Sequence, residues 1–212
     1  ALLRRARTLL EEAHSLERLA ATLAQGWESE VRLAVEIIFP PDLLVEAMSA
    51  FASKSRGCRV QLIESVLSGT DEAVLTRQAD LAITHRIPPG FLGESLMPIE
   101  FVAVAHPDHP LHRLGQELTE MDLRQHRQFV VRDSGLKRRQ DAGTLVGEER
   151  WTVSHLMTSI RFVKQGAGFA WLPREHIRAE LDSGQLKPLP LIAGASRYTE
   201  LYLVYTDRDS AG

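Results

Sequence analysis

The sequence lacks the features that define several large classes of protein. Cys58 is its single cysteine, which excludes an intramolecular disulfide and favours a reducing compartment. No apolar run reaches the roughly 18 residues of a membrane span, and no secretory signal begins the chain. The formal net charge of -3 at pH 7 gives no general attraction to a phosphate backbone. We therefore expect a cytoplasmic protein without a membrane partner, in which residues outside this sequence make any contact with DNA.

Motifs of the common catalytic classes are missing as well. The sequence has no G-x-S-x-G elbow, no phosphate-binding loop and no dinucleotide fingerprint. His106, His109 and His112 lie within seven residues. Pro107 and Pro110 prevent the helical spacing that would bring these imidazoles onto one metal ion. We predict that the chain is not an enzyme, binds no metal ion and requires no cofactor.

A heptad pattern opens the sequence. Large and small apolar residues alternate so that one narrow seam stays on one side of an α-helix of roughly 40 Å, which predicts pairing with a second copy. We interpret residues 1–29 as a linker helix that forms a coiled coil in a homodimer or homotetramer. The alternative is an amphipathic helix packed on its own domain, because Leu3, Leu10 and Leu19 widen the apolar face. The predicted oligomerisation residues are Leu2, Ala6, Leu9, Ala13, Leu16, Ala20 and Leu23.

Beyond this segment, short apolar stretches alternate with helical ones. Residues 31–37 alternate with the period of a strand, and Pro40 and Pro41 end that strand and favour the start of a helix. The predicted order is a strand at 31–37, a helix at 43–52, a strand at 60–64, a helix at 72–77 and strands at 80–83 and 101–105. Strand and helix alternation through short loops indicates parallel βαβ units and a doubly wound sheet.

The proline-rich segment at 106–110 interrupts this pattern, which then restarts. The second half is predicted to hold a helix at 120–126, strands at 129–131 and 151–153, a helix at 156–165, and strands at 169–172 and 201–205. Because the last strand can cross back, we expect an α/β fold of two Rossmann-like lobes hinged by two crossover strands. We place lobe I at residues 30–105 and 202–212 and lobe II at 106–201. Hinged lobes of this kind bind a small molecule between them.

This order of elements resembles the regulatory part of LysR-type transcriptional regulators over essentially the whole chain. The heptad segment resembles the family's linker helix, and the other matching stretches are residues 68–83, 104–111, 151–155 and 163–173. The resemblance implies a fold like the type 2 periplasmic binding proteins and an interlobe cleft that senses a small-molecule effector. It also implies an oligomer that binds promoter DNA through a winged helix-turn-helix upstream of this sequence.

The first strand departs from the family pattern. Where many members offer small hydroxyl residues after this strand, the sequence offers Glu36, Ile37, Ile38, Phe39 and Pro40. This departure disfavours a carboxylate effector held at that loop and is equally compatible with an apolar or cationic group.

Effector-binding candidates follow predicted strands or precede predicted helices, because strand carboxyl ends and helix N-termini converge on the crevice of such a fold. Arg132 presents a rigid fork to an anion, or it pairs with Asp133. Ser154 opens a predicted helix and offers a small anion site, or it only caps that helix. Ile38 and Phe39 form an apolar wall or belong to the core. The predicted set is Ile38, Phe39, Ser68, Thr70, Thr84, His85, Arg132, Ser134 and Ser154.

Several of these candidates also have simple structural roles. Ser68 and Thr70 can donate hydrogen bonds to an effector, or they can cap the helix predicted at 72–77. Ser134 can contact the effector from the second lobe or serve as a turn residue. His85 follows a predicted strand whose end faces the cleft, but a loop histidine is more often solvated than it is a ligand group.

One other function fits the same two-lobe fold. A solute-binding protein that serves a transporter would share the fold, but it would require an export signal and no heptad helix. The N-terminal pattern therefore favours the regulator.

Overall fold

The computed structural model describes residues 29–55, 57–136 and 145–206. Within these ranges one mixed sheet holds nine strands. The strands are β1 Glu30–Glu36, β2 Arg59–Ser65, β3 Leu81–Thr84, β4 Leu92–Ala105, β5 Gln128–Val131, β6 Arg150–Val153, β7 Phe169–Pro173, β8 Lys187–Pro188 and β9 Ser196–Tyr205. The helices are α1 Pro41–Lys54, α2 Ser68–Leu75, α3 Pro110–Arg113, α4 Glu120–Arg124, α5 Leu156–Lys164 and α6 Arg178–Asp182, with a 3-10 turn at Arg174–Ile177. The predicted linker helix and its oligomerisation residues, from Leu2 to Leu23, lie outside the described residues.

The sheet consists of two parallel groups joined by two long antiparallel strands. Its order is β2-β1-β3-β9-β4-β7-β5-β6, with β8 beside β4. In the first parallel group β1 pairs with β2 and β3, and in the second parallel group β5 pairs with β6 and β7. Strand β9 runs antiparallel to β3 and β4, and β4 runs antiparallel to β7. The chain therefore passes between the groups through β4 and returns through β9.

Both connecting strands are longer than the sequence pattern predicts. Strand β4 begins at Leu92 rather than at residue 101, and β9 begins at Ser196 rather than at residue 201. The early residues of β4 are largely exposed, so they lack the apolar alternation on which the prediction depended. Their backbones are nevertheless paired, in a register that runs from Leu92 opposite Tyr205 to Val102 opposite Ser196.

Helix α2 corrects a second prediction. It begins at Ser68 and not at residue 72, and its N-cap is Leu67, which makes no capping side-chain hydrogen bond. Ser68 and Thr70 therefore lie inside the helix, and neither acts as its cap. Their hydroxyls are instead bonded to carboxylates of other elements, as described below.

Helix α5 lies close to its predicted position. It spans Leu156–Lys164, and its N-cap is His155, so Ser154 precedes the helix and does not open it. Ile160 and Val163 project from α5 into a core cluster with Val102 and Phe129. Among the described residues, no helix is long and apolar enough to cross a membrane.

Candidate functional site

A cavity of about 220 Å³ lies between the two parallel groups. The carboxyl ends of β1, β2 and β3 meet at one side of it, as expected where parallel strands end at the same edge of a sheet. Strands β4, β5, β7 and β9 and helix α5 form the rest of the wall. The lining residues are Glu36, Ile37, Ile38, Val66, Leu67, His85, Phe101, Gln128, Phe129, Val130, Val131, Leu156, Ser159, Trp171, Arg197 and Thr199.

Three aromatic side chains, Phe101, Phe129 and Trp171, belong to this wall, and two of them contact neighbouring side chains closely. Phe129 stacks on Phe162 with 5.0 Å between ring centroids. The Trp171 indole N–H donates to the Gly194 carbonyl at 2.9 Å, and the Arg197 guanidinium carbon lies 4.5 Å from the Trp171 ring centroid. A cavity wall with aromatic rings held in place suits a ligand with an apolar body, because these rings provide large contact areas and lose little side-chain freedom on binding.

Glu36 places a buried carboxylate beside this apolar wall. It is 1% exposed. Its Oε1 accepts the Leu67 backbone N–H at 2.7 Å, and its Oε2 accepts the Thr70 hydroxyl at 2.8 Å. The Thr70 hydroxyl hydrogen is committed to Glu36, so Ser65 is the donor in the 2.8 Å contact between the two hydroxyls. These contacts fix the carboxylate at the end of β1.

Two further polar atoms at the cavity are buried without a hydrogen-bond partner among the described residues. They are the Nδ1 atom of His85 and the hydroxyl oxygen of Ser159, which is 1% exposed as a residue. His85 Nδ1 lies 3.6 Å from Glu36 Oε2, beyond ordinary hydrogen-bond length. Buried polar atoms are nearly always satisfied in folded proteins, so these two atoms require an explanation.

Polar contacts next to the cavity join the two parallel groups. Asp133, after β5, accepts the Ser68 hydroxyl at 2.7 Å and the Ser68 backbone N–H at 3.1 Å. The Val66 N–H donates to the Ser134 hydroxyl at 2.8 Å, and the Ser134 N–H donates to the Val66 carbonyl at 3.1 Å. We call these contacts of Val66, Ser68, Asp133 and Ser134 the latch. They hold the loop after β2 against the loop after β5.

The latch requires a glycine at residue 69. A Cβ atom added to Gly69 would lie 1.9 Å from the Ser134 hydroxyl oxygen, closer than any two such atoms can approach. The two loops therefore come together only because no side chain stands between them.

The structure separates the nine predicted residues into distinct environments. Ile38 and His85 line the cavity. Ser68 and Ser134 both belong to the latch, Ser68 as a donor to Asp133 and Ser134 as an acceptor from Val66. The Thr70 hydroxyl donates to Glu36.

The remaining four, like Ser68, Thr70 and Ser134, are not among the residues that line the cavity. Thr84 is fully buried, and its hydroxyl donates to Asp71 at 3.3 Å. Phe39 packs against the core cluster of Val35, Ile83, Ile99 and Leu201. Arg132 and Ser154 are exposed.

Several of the lining residues are absent from the set predicted from the sequence. The alternating pattern of the first strand predicts that Glu36 faces solvent. In the structure, the end of β1 is buried on both faces, and Ala34, Val35 and Glu36 are all at most 2% exposed. A charged residue at the end of such a strand is the signal that could have identified it. Ser159, Trp171 and Arg197 lie within regular elements, where a cavity residue and a core residue follow the same pattern.

Comparison with known proteins agrees with this geometry. The family model described as the LysR substrate binding domain matches residues 24–211. The uncharacterised HTH-type transcriptional regulator YeeY of Escherichia coli K12 is 30% identical over 197 residues, which are 91% of this chain and 64% of that protein. The chain therefore spans less than two thirds of the length of this curated relative.

Solved structures share the same fold. The regulatory domain of MetR, a LysR family regulator from N. meningitidis, superposes with a TM-score of 0.66 at 21% identity, covering 86% of each chain. The regulatory domain of Synechocystis PCC6803 CcmR, determined in complex with 2-PG, gives a TM-score of 0.63 at 14% identity, covering 84% of this chain and 87% of the other.

Fold and cavity together define a two-lobed α/β domain of the ligand-binding type. The chain belongs to the LysR substrate-binding domain family. The predicted resemblance to LysR-type transcriptional regulators and the predicted two-lobe fold are therefore confirmed, and the relatives support the regulator over the transporter protein.

Proposed function

We propose that this chain is the effector-sensing part of a LysR-type regulator and that a small molecule binds in the cavity between its parallel groups. The observation that carries this proposal is a cavity of about 220 Å³ with buried polar atoms on both sides, His85 Nδ1 on one and the Ser159 hydroxyl on the other, that have no hydrogen-bond partner in the described part of the chain. The MetR and CcmR regulatory domains share the fold, and the CcmR domain holds 2-PG.

The latch couples the cavity to the arrangement of the two groups. Leu67, which donates to Glu36 in the cavity wall, lies between Val66 and Ser68 of the latch. A ligand that contacts both walls would favour one arrangement of the lobes, by an amount equal to its difference in affinity for the two arrangements. A winged helix-turn-helix preceding this sequence would convert that shift into altered promoter binding or transcription activation. We place the lobe boundaries at residues 105/106 and 201/202.

We further propose that the protein is a cytoplasmic homo-oligomer without enzymatic activity. The heptad spacing of residues 1–29 supports one contact between copies. The first parallel group supports a second contact between copies, because β2 is an edge strand of the sheet and exposes Val60 and Leu62. Helix α1, which precedes β2 in the chain, exposes Leu43 and Val45. Exposed apolar side chains on an edge strand and on the helix before it suit contact with a second copy of this chain.

Filling the cavity tests the sensing proposal. Thr199 lines the cavity, whereas its neighbour Tyr198 on β9 is 69% exposed. We expect ligand-observed NMR of a diverse fragment mixture to detect binders whose signals are lost in Thr199→Trp and retained in the matched Tyr198→Trp variant. Binding that is equal in both variants, or no binding to the wild-type chain, would contradict the proposal.

A further inference from the structure

We infer the chemical class of the ligand: a molecule about the size of one substituted ring, with an O–H or N–H donor and no negative charge. This inference rests on the proposed function, because it assigns chemistry to the same cavity. Glu36 receives the donor, and Ser159 is the polar contact on the opposite wall.

Both carboxylate oxygens of Glu36 have unused acceptor sites. A carboxylate offers about four lone-pair sites. Each Glu36 oxygen accepts one hydrogen bond, from Leu67 or from Thr70, so both retain a site. Glu36 lines the cavity but is 1% exposed, so a donor reaches those sites when the side chains around the carboxylate shift slightly. A donor on a bound molecule would satisfy them.

The charge of Glu36 disfavours an anionic ligand group. Among the described residues, the basic side chain beside Glu36 is His85, whose Nδ1 lies 3.6 Å away, makes no hydrogen bond and pairs with the carboxylate only when it is protonated. An anionic ligand group at this end of the cavity would lie beside a fixed negative charge in a poorly hydrated site, where like charges repel strongly. A hydroxyl or an ammonium group meets no such repulsion.

The cavity wall opposite Glu36 offers a second polar contact. The Ser159 hydroxyl is buried in α5 and has no hydrogen-bond partner among the described residues. A hydroxyl both donates and accepts, so it can bind the same polar group or a second substituent. Arg197 is the cation of this wall, and its guanidinium lies over the Trp171 ring. An anion held by Arg197 is the competing outcome, and the experiment below detects it.

The volume of the cavity limits the size of the ligand. An apolar cavity of about 150 Å³ admits benzene. The present cavity of about 220 Å³ is larger and has Phe101, Phe129 and Trp171 in its wall. It therefore has room for one ring with a short polar substituent.

Four probes with one ring in common test this inference on the whole chain: benzyl alcohol, benzylamine, benzoate and toluene. We expect the alcohol or the amine to bind about tenfold or more tightly than benzoate, since a hydrogen bond to a charged group contributes that much. The alcohol and amine arms distinguish a hydroxyl from an ammonium ligand. Dissociation constants come from ligand-observed NMR titration.

Variants assign the effect to named groups. Glu36→Gln should remove most of the preference over benzoate, whereas Glu30→Gln, on the exposed start of the same strand, should leave it unchanged. Ser159→Ala should weaken the tighter probe about threefold to tenfold. Thermal unfolding of each variant shows that the fold is retained, and the Ser159→Ala result provides a second measurement should Glu36→Gln unfold.

Two results would overturn the inference. One is benzoate binding as tightly as the alcohol and the amine, with dependence on Arg197 and not on Glu36. The other is failure of all four probes while cavity-dependent fragments still bind, which would leave the proposed function intact. Loss of every cavity-dependent fragment would instead contradict the proposed function itself.

Discussion

Helix α1 of the first parallel group and helix α5 of the second are buried to different depths. Helix α1 has 14 residues and none of them is buried, whereas the nine residues of α5 include the buried Leu156, Ser159, Ile160 and Val163. The strands differ in the same direction, since β2 is mostly exposed and β7 mostly buried. Helix α5 therefore forms a packed part of the cavity wall, whereas the exposed surfaces of α1 and β2 remain available for contact with another chain.

Substitutions on the two helices should separate these roles, and they give the largest expected effect. Ile160→Ala removes a side chain that is 1% exposed and should lower the free energy of unfolding by about 2–5 kcal/mol, because it leaves a cavity in a packed core. Val45→Lys, at a position that is 65% exposed, should change it by less than about 0.5 kcal/mol. Urea titration followed by tryptophan fluorescence provides both values.

Analytical ultracentrifugation of the same variants completes the comparison. We expect Val45→Lys to shift the population toward smaller species, because it places a charge on the proposed contact surface. An unchanged mass distribution would show that α1 takes no part in self-association, and a large stability loss in Val45→Lys would contradict the difference between the two helices.

The latch should break when residue 69 acquires a side chain. Gly69→Ala brings a Cβ atom to 1.9 Å from the Ser134 hydroxyl oxygen, so the two loops must separate. We expect a loss of about 1–3 kcal/mol in the free energy of unfolding, as for other overpacked contacts. The double variant Gly69→Ala with Ser134→Gly removes the obstructing hydroxyl and should recover part of that loss. Purely additive effects would mean that the clash lies elsewhere.

The regular elements of both groups could be predicted from the sequence because their core strands and helices follow simple apolar periods. Residues 156–164 of α5 and 128–131 of β5 agree with the predicted elements within one residue. The exposed start of β4 could not be predicted, because its pairing with β9 depends on a strand more than 90 residues away. Long-range backbone pairing leaves no local pattern in the sequence.

The location of the cavity at the ends of the strands could be predicted from the sequence, but the hydrogen-bond partners of its polar residues could not. Because strand ends face the crevice, the loops after β1 and β3 directed attention to Ile38 and His85, and both line the cavity. Their contact with an effector stays a prediction. Hydroxyl residues such as Ser68 and Thr70 could be identified as polar and loop-proximal, but not as partners of Asp133 and Glu36. Those partners come from distant segments, so only the folded structure distinguishes a ligand donor from a structural one.

Acidification should produce the smallest of the three effects, and it acts on the second half of the fold. Burial, with added repulsion from His126, His112 and His106, lowers the pKa of His109 to about 4. Because the unfolded state binds its proton near pH 6.5, stability contributed by neutral His109 is present above that pH and is lost as the pH falls toward 4. We expect a loss of about 1–2 kcal/mol between pH 7.5 and pH 5. In His109→Asn, which keeps an acceptor for the Leu111 N–H, that loss should shrink, whereas in the exposed His155→Asn it should not. Urea titrations at the two pH values measure the difference, and equal acid losses in both variants would show that His109 does not control this pH dependence.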